Sequence, residues 1–173
     1  MSMKSSQHRG KRIPNQIALL LLTGLPLLAV ALSSDQFKPY HVRSIEVIYR
    51  RPDHITLYHG DVYATQGTTW ISGDKVIVYH NPTTNRIVRL KAIGHPAHYS
   101  TMPDNQKARL YAQAETILYF PAKAQVLLIK NARVTQKQNI LTGPHIWYDI
   151  KKQTVISTVP NGKGNTTVVI EPQ

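Results

Sequence analysis

The segment Tyr58-His-Gly-Asp-Val-Tyr-Ala-Thr-Gln-Gly-Thr-Thr-Trp-Ile-Ser-Gly-Asp-Lys-Val-Ile-Val-Tyr79 decides the fold, because it returns 70 residues later. The second copy is Leu128-Ile-Lys-Asn-Ala-Arg-Val-Thr-Gln-Lys-Gln-Asn-Ile-Leu-Thr-Gly-Pro-His-Ile-Trp-Tyr148. At that offset Val62 falls on Ala132, Ala64 on Val134, Thr65-Gln66 on Thr135-Gln136, and Ile71 on Leu141. Gly73 then falls on Gly143, Val76 on Ile146 and Val78 on Tyr148. Both copies read as a strand, a short polar turn, and a second strand broken at its glycine. A fixed-offset repeat marks one supersecondary unit used twice. One such unit is too thin to bury a face alone, so two imply stacked or wound sheet.

Working outward, the chain from Tyr40 keeps a period of two. Tyr40–Tyr49 is β-branched and partly alternating, and Arg50-Arg-Pro-Asp53 closes it as a turn. Ile55–Thr65 is extended, with a bulge or bend expected at Gly60-Asp61. Within Thr69–Tyr79, Ile71 and Val76 are an odd number of residues apart, so a bulge at Gly73-Asp74 is needed to turn both inward. The same break is expected at Gly143-Pro144. Further strands are read at Ile87–Ile93, Ala108–Ala114, Glu115–Phe120, Gln125–Ile129, Ala132–Gln136, Asn139–Tyr148, Thr154–Val159 and Thr166–Ile170. Many short strands between polar turns make the chain all-β.

The 173 residues support one domain after a leader. Residues 1–16 are polar and basic, Ile17–Leu32 is almost wholly apolar, and small residues Ala29-Val-Ala31 follow. This is the three-part pattern of a secretory signal peptide, with cleavage expected near Ala31 or Ser33 and a mature domain from residue 34. An uncleaved anchor is the alternative, although the run is short for a membrane span. The net charge is +12; beyond Lys4, Arg9, Lys11 and Arg12 there are 17 basic residues against nine acidic ones. Such a surface favours anionic partners, and export argues against nucleic acid. With no cysteine there is neither a disulfide framework nor a thiol nucleophile.

No phosphate-cradling loop, nucleophile elbow or catalytic carboxylate pair is present, so the chain reads as a non-enzyme without a cofactor. His95 with His98, and His59 with Asp61, lack further ligands at a spacing that completes a metal site. Asn165-Thr-Thr167 matches a glycosylation sequon, a three-residue signal of little weight. What remains is the inside of the sheet. Val62, Ala64, Ile71, Val76, Val78, Tyr99, Tyr119, Leu141, Ile146 and Tyr148 read as one apolar lining, with Leu90, Leu127, Ile129, Val134, Val155 and Val168 beside them. A sealed core is one reading. Tyr at several of these positions fits a wet-rimmed groove better, since each hydroxyl needs a partner.

The order and spacing of several short motifs resemble the OstA-like family of periplasmic lipopolysaccharide-transport proteins. The motifs are His59-Gly-Asp-Val-Tyr-Ala-Thr-Gln-Gly67, Ile71-Ser-Gly-Asp-Lys-Val-Ile-Val78, Gly94-His-Pro-Ala-His-Tyr99, Ala114-Glu-Thr-Ile-Leu-Tyr119, Asn131-Ala-Arg-Val-Thr-Gln136 and Thr166-Thr-Val-Val-Ile170. The similarity runs from Pro39 to the C-terminus and departs at Gly143-Pro-His145, where the second Gly-Asp-Lys element is absent. It implies an open, twisted antiparallel β-jelly roll that holds lipid A acyl chains in the lining named above and catalyses nothing. It further implies head-to-tail stacking between edges at Tyr40, His41 and Val42 and at Thr166, Val168 and Ile170. An LptC-like inner-membrane partner is then expected at the N-terminal edge and an LptD-like outer-membrane partner at the C-terminal edge. Two rivals share the pattern: a membrane-anchored LptC-like transfer protein, and a sealed adaptor module that binds only proteins.

Overall fold

The repeat becomes two hairpins with one register. The structure, a computed structural model, describes residues 34–103, 108–162 and 164–170; the expected leader, 1–33, lies outside them. Strands β3 (Ile55–Gln66) and β4 (Thr69–His80) pair Tyr58 with Val76, Val62 with Gly73 and Ala64 with Ile71. Seventy residues on, β7 (Gln125–Gln136) and β8 (Asn139–Asp149) pair Leu128 with Ile146, Ala132 with Gly143 and Val134 with Leu141. Between the two hairpins run β5 (Ile87–Thr101) and β6 (Leu110–Phe120). All six strands form one antiparallel meander. Two short strands pair along each flank: β1 (Tyr40–Arg43) and β2 (Glu46–Arg50) on β3, and β9 (Thr154–Thr158) and β10 (Thr167–Val169) on β8. The result is a ten-stranded open β-jelly roll of two similar halves.

Alternation alone would turn half of each long strand inside out. The strands avoid this with a belt of irregularities at mid-length. Gly60 and Asp61 take positive φ (78° and 43°) and bulge from β3; Lys130 and Asn131 (64° and 50°) do the same in β7. On β4 the register with β5 shifts between Ser72 and Lys75, so Ile71 and Val76 are both buried. The break expected at Gly73-Asp74 is therefore present. Strand β5 does not stop at Ile93. It continues through Gly94–Tyr99, and the shift between Ile93 and Ala97 leaves Pro96, after a cis bond, outside the ladder.

The single strand expected over Tyr40–Tyr49 is two strands. The bulge in β3 breaks the partner edge, and Ile45 donates its N–H to both His59 O and Gly60 O at 3.1 Å. Gly60 admits this contact, because a Cβ there would lie 2.7 Å from Ile45 Cδ1. Likewise β10 is shorter than Thr166–Ile170: Thr166 and Ile170 flank it. Strands read separately at 108–114 and 115–120, and at 125–129 and 132–136, are continuous as β6 and β7.

Gly73 and Gly143 occupy equivalent places with different neighbours. A Cβ on Gly73 would meet the Ile93 carbonyl oxygen at 2.6 Å, whereas on Gly143 it would meet the rotatable Ser157 hydroxyl. Gly73→Ala is therefore expected to cost about 1–3 kcal/mol in urea unfolding and Gly143→Ala about 0.5 kcal/mol. Equal costs would mean that the belt does not constrain β4 as described.

Candidate functional site

Three inward rows cross the sheet. The first is Val42, Ala64, Ile71, Tyr99, Ala112, Val134, Leu141 and Val168, one residue per strand. The second is Val47, Tyr58, Val76, Ala92, Ile117, Leu128, Ile146 and Ser157. The third is Tyr49, Thr56, Val78, Leu90, Tyr119, Val126, Tyr148 and Val155. All ten lining residues named from the sequence belong to one apolar cluster. Val62 and eight of the others are buried, and Leu141 packs against it partly buried.

Two inward assignments were out of phase. Leu127 and Ile129 are not in the core; Val126 and Leu128 are. Gln125–Ile129 is apolar at four successive positions, so no alternation sets its phase, and pairing of Val126 with Tyr148 does. Ala112, Ala114 and Ile117, also buried, carry a weak signal because alanine adds little to a period of two. The same odd-step break as in β4 separates Ala114 from Ile117. That break could have found them.

The rows are filled in the middle and open at the ends. Val76, Tyr99, Ile117, Leu128 and Ile146 are fully buried, while Val47, Tyr49 and Val168 at the row ends are each more than half exposed. The C-terminal edge carries an apolar cavity of about 140 Å³ lined by Leu110, Val134, Ile140, Leu141, Val155 and Val168. At the N-terminal edge an open recess of about 650 Å³ is lined by Phe37, Tyr40, Gln66, Arg86, Ile87 and Pro121. Residues preceding β1 strap this end. The Asp35 carboxylate accepts from Thr68 N (2.9 Å), Thr68 Oγ1 (2.6 Å) and Thr69 Oγ1 (3.1 Å), and Gln66 Nε2 donates to the Lys38 carbonyl at 3.1 Å.

Tyrosine does not mark a wet rim throughout. Tyr99 is fully buried beside Tyr119, with ring centroids 5.7 Å apart. His95 pairs with Asp74 at 2.9 Å on the exposed belt, not with His98. Among the described residues two Lys/Arg–carboxylate pairs form, Arg50–Asp53 at 3.5 Å and Lys130–Glu115 at 3.6 Å, so most cations are left for other anions.

Among the described residues, ten antiparallel strands surround a through-running apolar interior and leave both edges unpaired, which defines an open β-jelly roll rather than a closed barrel. The chain belongs to the family described as LptA/(LptD N-terminal domain) LPS transport protein, whose model matches residues 41–154. It is 31% identical over 152 residues to the lipopolysaccharide export system protein LptH of Pseudomonas aeruginosa, covering 84% of this chain and 86% of that protein. It is also 31% identical over 154 residues to the lipopolysaccharide export system protein LptA of Escherichia coli K12, covering 89% and 82%. The crystal structure of LptH, the LptA homologous periplasmic component of the lipopolysaccharide transport device of P. aeruginosa, matches with a TM-score of 0.73. That match has 29% identity and covers 80% of this chain and 99% of LptH.

Burial pushes the Tyr148 phenol up to about 12, helped by the neighbouring Asp149 charge. Burial also takes Tyr40 up to about 12, against a hydrogen bond with Gln66 that lowers it. Tyr99 and Tyr119 are raised as well, mainly by burial. The fold thus prefers neutral phenols. Their stabilisation is complete below the unfolded value of 10.0 and is lost as pH rises from there towards 12. Thermal unfolding is expected to hold its midpoint below pH 10 and fall above it, with Tyr148→Phe lessening the fall. A midpoint unmoved up to pH 11.5, or a fall unchanged by Tyr148→Phe, would contradict the burial of these rings.

Proposed function

We propose that this chain is a periplasmic lipopolysaccharide carrier that takes lipid A acyl chains between the inward rows and stacks head to tail into a bridge. The observation that carries the reading is the run of each row from one unpaired edge to the other. Acyl chains lying along these rows leave water at about 25 cal/mol per Å² of apolar surface buried. Because the interior is filled by its own side chains, the walls part to admit lipid, and an open sheet without disulfides permits that. Arg86 at the N-terminal recess, with the wider basic excess, meets the lipid's phosphates.

Stacking follows from the edges. Tyr40, His41 and Val42 stand at one free edge and Val168, flanked by Thr166 and Ile170, at the other. Unpaired edges recruit strands from other chains. Two different edges meeting head to tail do not close on themselves, so the product is an open filament. The N-terminal edge would take the LptC-like inner-membrane partner and the C-terminal edge the LptD-like outer-membrane partner.

Deleting Asn165–Gln173 removes the C-terminal edge while leaving nearly all of the lining upstream. Light scattering is expected to show concentration-dependent growth in the full chain and none in the truncated one. Both should retain lipopolysaccharide in a binding assay. Undiminished growth after the deletion would count against the bridge, and absence of lipopolysaccharide binding in both against the carrier.

A further inference from the structure

We propose that the outer face of the sheet around Trp70 and Tyr111 binds an anionic cell-wall glycan strand, independently of the lipid carried inside. Two outward rows cross this half of the molecule, on the side of the Gln66–Thr69 turn. One places Thr65, Trp70, Ser100, Tyr111 and Thr135 side by side on successive strands; the other places Arg43, Tyr63, Ser72, His98, Gln113 and Arg133. Neither holds a carboxylate between its end members.

The aromatic residues are not there to fill a core. Tyr111 is 51% exposed and Tyr63 38%. Tyr63 leans on Trp70 with ring centroids 5.8 Å apart and planes 31° apart, and the Arg43 guanidinium lies 5.8 Å from the Tyr63 centroid. Trp70 and Tyr111 stand on either side of small, fully buried Ser100, about 9.5 Å apart at two strand spacings. Arg109 fixes this part of the sheet, donating from Nη1 to Ser100 Oγ at 3.2 Å and to the Thr68 carbonyl at 2.7 Å. A cleft of about 60 Å³ touches both rings and is lined further by Tyr99, Ala112, His98, Gln113, Arg133 and Thr135.

Two aromatic side chains beside a cleft edged by amide, imidazole and guanidinium groups fit a pyranose ring. Its axial C–H faces lie against the aromatic planes and its hydroxyl or acetamido edge meets the polar side chains. The cations Arg43 and Arg133 stand about 24 Å apart along one row, enough for several linked rings, and suit carboxylates along the strand. A protein partner would favour a dry apolar centre; this cleft is ringed by His98, Gln113, Arg133 and Thr135. The cargo's own sugars are disfavoured because the acyl-lining rows face the opposite side of the sheet. A lipid held there would have to turn round an edge to reach Trp70.

The test is co-sedimentation of the full-length protein with purified peptidoglycan sacculi, with lipopolysaccharide and double-stranded DNA as competitors. The protein is expected to pellet with sacculi and to resist release by either competitor. Trp70→Ala and Tyr111→Ala are each expected to weaken binding about fivefold without changing lipopolysaccharide binding. Trp70→Phe, which keeps an aromatic plane, should retain most of the affinity. Tyr111 is half exposed, so its substitution reads the site even if Trp70→Ala folds poorly. Protein left in the supernatant, or Tyr111→Ala pelleting like the parent, would overturn the proposal. Release by lipopolysaccharide would assign the face to the cargo, and release by DNA to charge alone; either would also overturn it. None of these outcomes decides whether acyl chains lie between the inward rows, which lipopolysaccharide binding and crosslinking from the interior read separately.

Discussion

The structure depends on keeping one face of a long, single sheet apolar from edge to edge. With strict alternation, apolar residues an odd number of positions apart, such as Ile71 and Val76, would face opposite sides, and half of each long strand would turn its apolar residues to solvent. Every long strand from β3 to β7 therefore carries an irregularity near its middle, where the ladder shifts by one or more residues. The positive φ values at Gly60-Asp61 and Lys130-Asn131, the bare Gly73 against the Ile93 carbonyl, and Pro96 outside the ladder solve the same problem. The belt lets Ile71 and Val76, or Ala114 and Ile117, share one interior.

That interior has consequences for function because it is not closed. A barrel would pair its first and last strands and end every row in a neighbour. Here β1 with β2 and β9 with β10 stand at opposite flanks, and rows end on exposed Val47, Tyr49 and Val168. Such ends are a liability in an isolated molecule, and in the stack proposed above a second copy would continue each row. The Asp35 contacts with Thr68 and Thr69 show the chain already covering part of one end with its own N-terminal segment.

The repeat made much of this legible. The offset that aligns Ala64 with Val134 and Ile71 with Leu141 is the offset that aligns their registers, so hairpin pairing followed from sequence alone. The odd spacing of Ile71 and Val76 predicted a bulge for a physical reason. Phase failed where the chain offers no contrast, as in Val126-Leu-Leu-Ile129, because both faces there are apolar and only the partner strand decides. Leu127 lies outward between Leu118 and Trp147. The strand ending expected at Ile93 was overruled by pairing of Ala97–Thr101 with β6, which tolerates Pro96 at the bulge. The strap at Asp35 joins residues more than thirty positions apart through side chains, and no local pattern records it.

The central claim, that the rows are a lipid path and not a sealed core, is tested most directly by photo-crosslinking in cells. A photoreactive residue at Val76 or Tyr119 faces the interior, and one at Lys75, next in the chain, serves as the outward control. The account predicts adducts with lipopolysaccharide from Val76 and Tyr119 and none from Lys75. Crosslinking to lipopolysaccharide at equal levels from all three, or from none in a correctly folded protein, would contradict it.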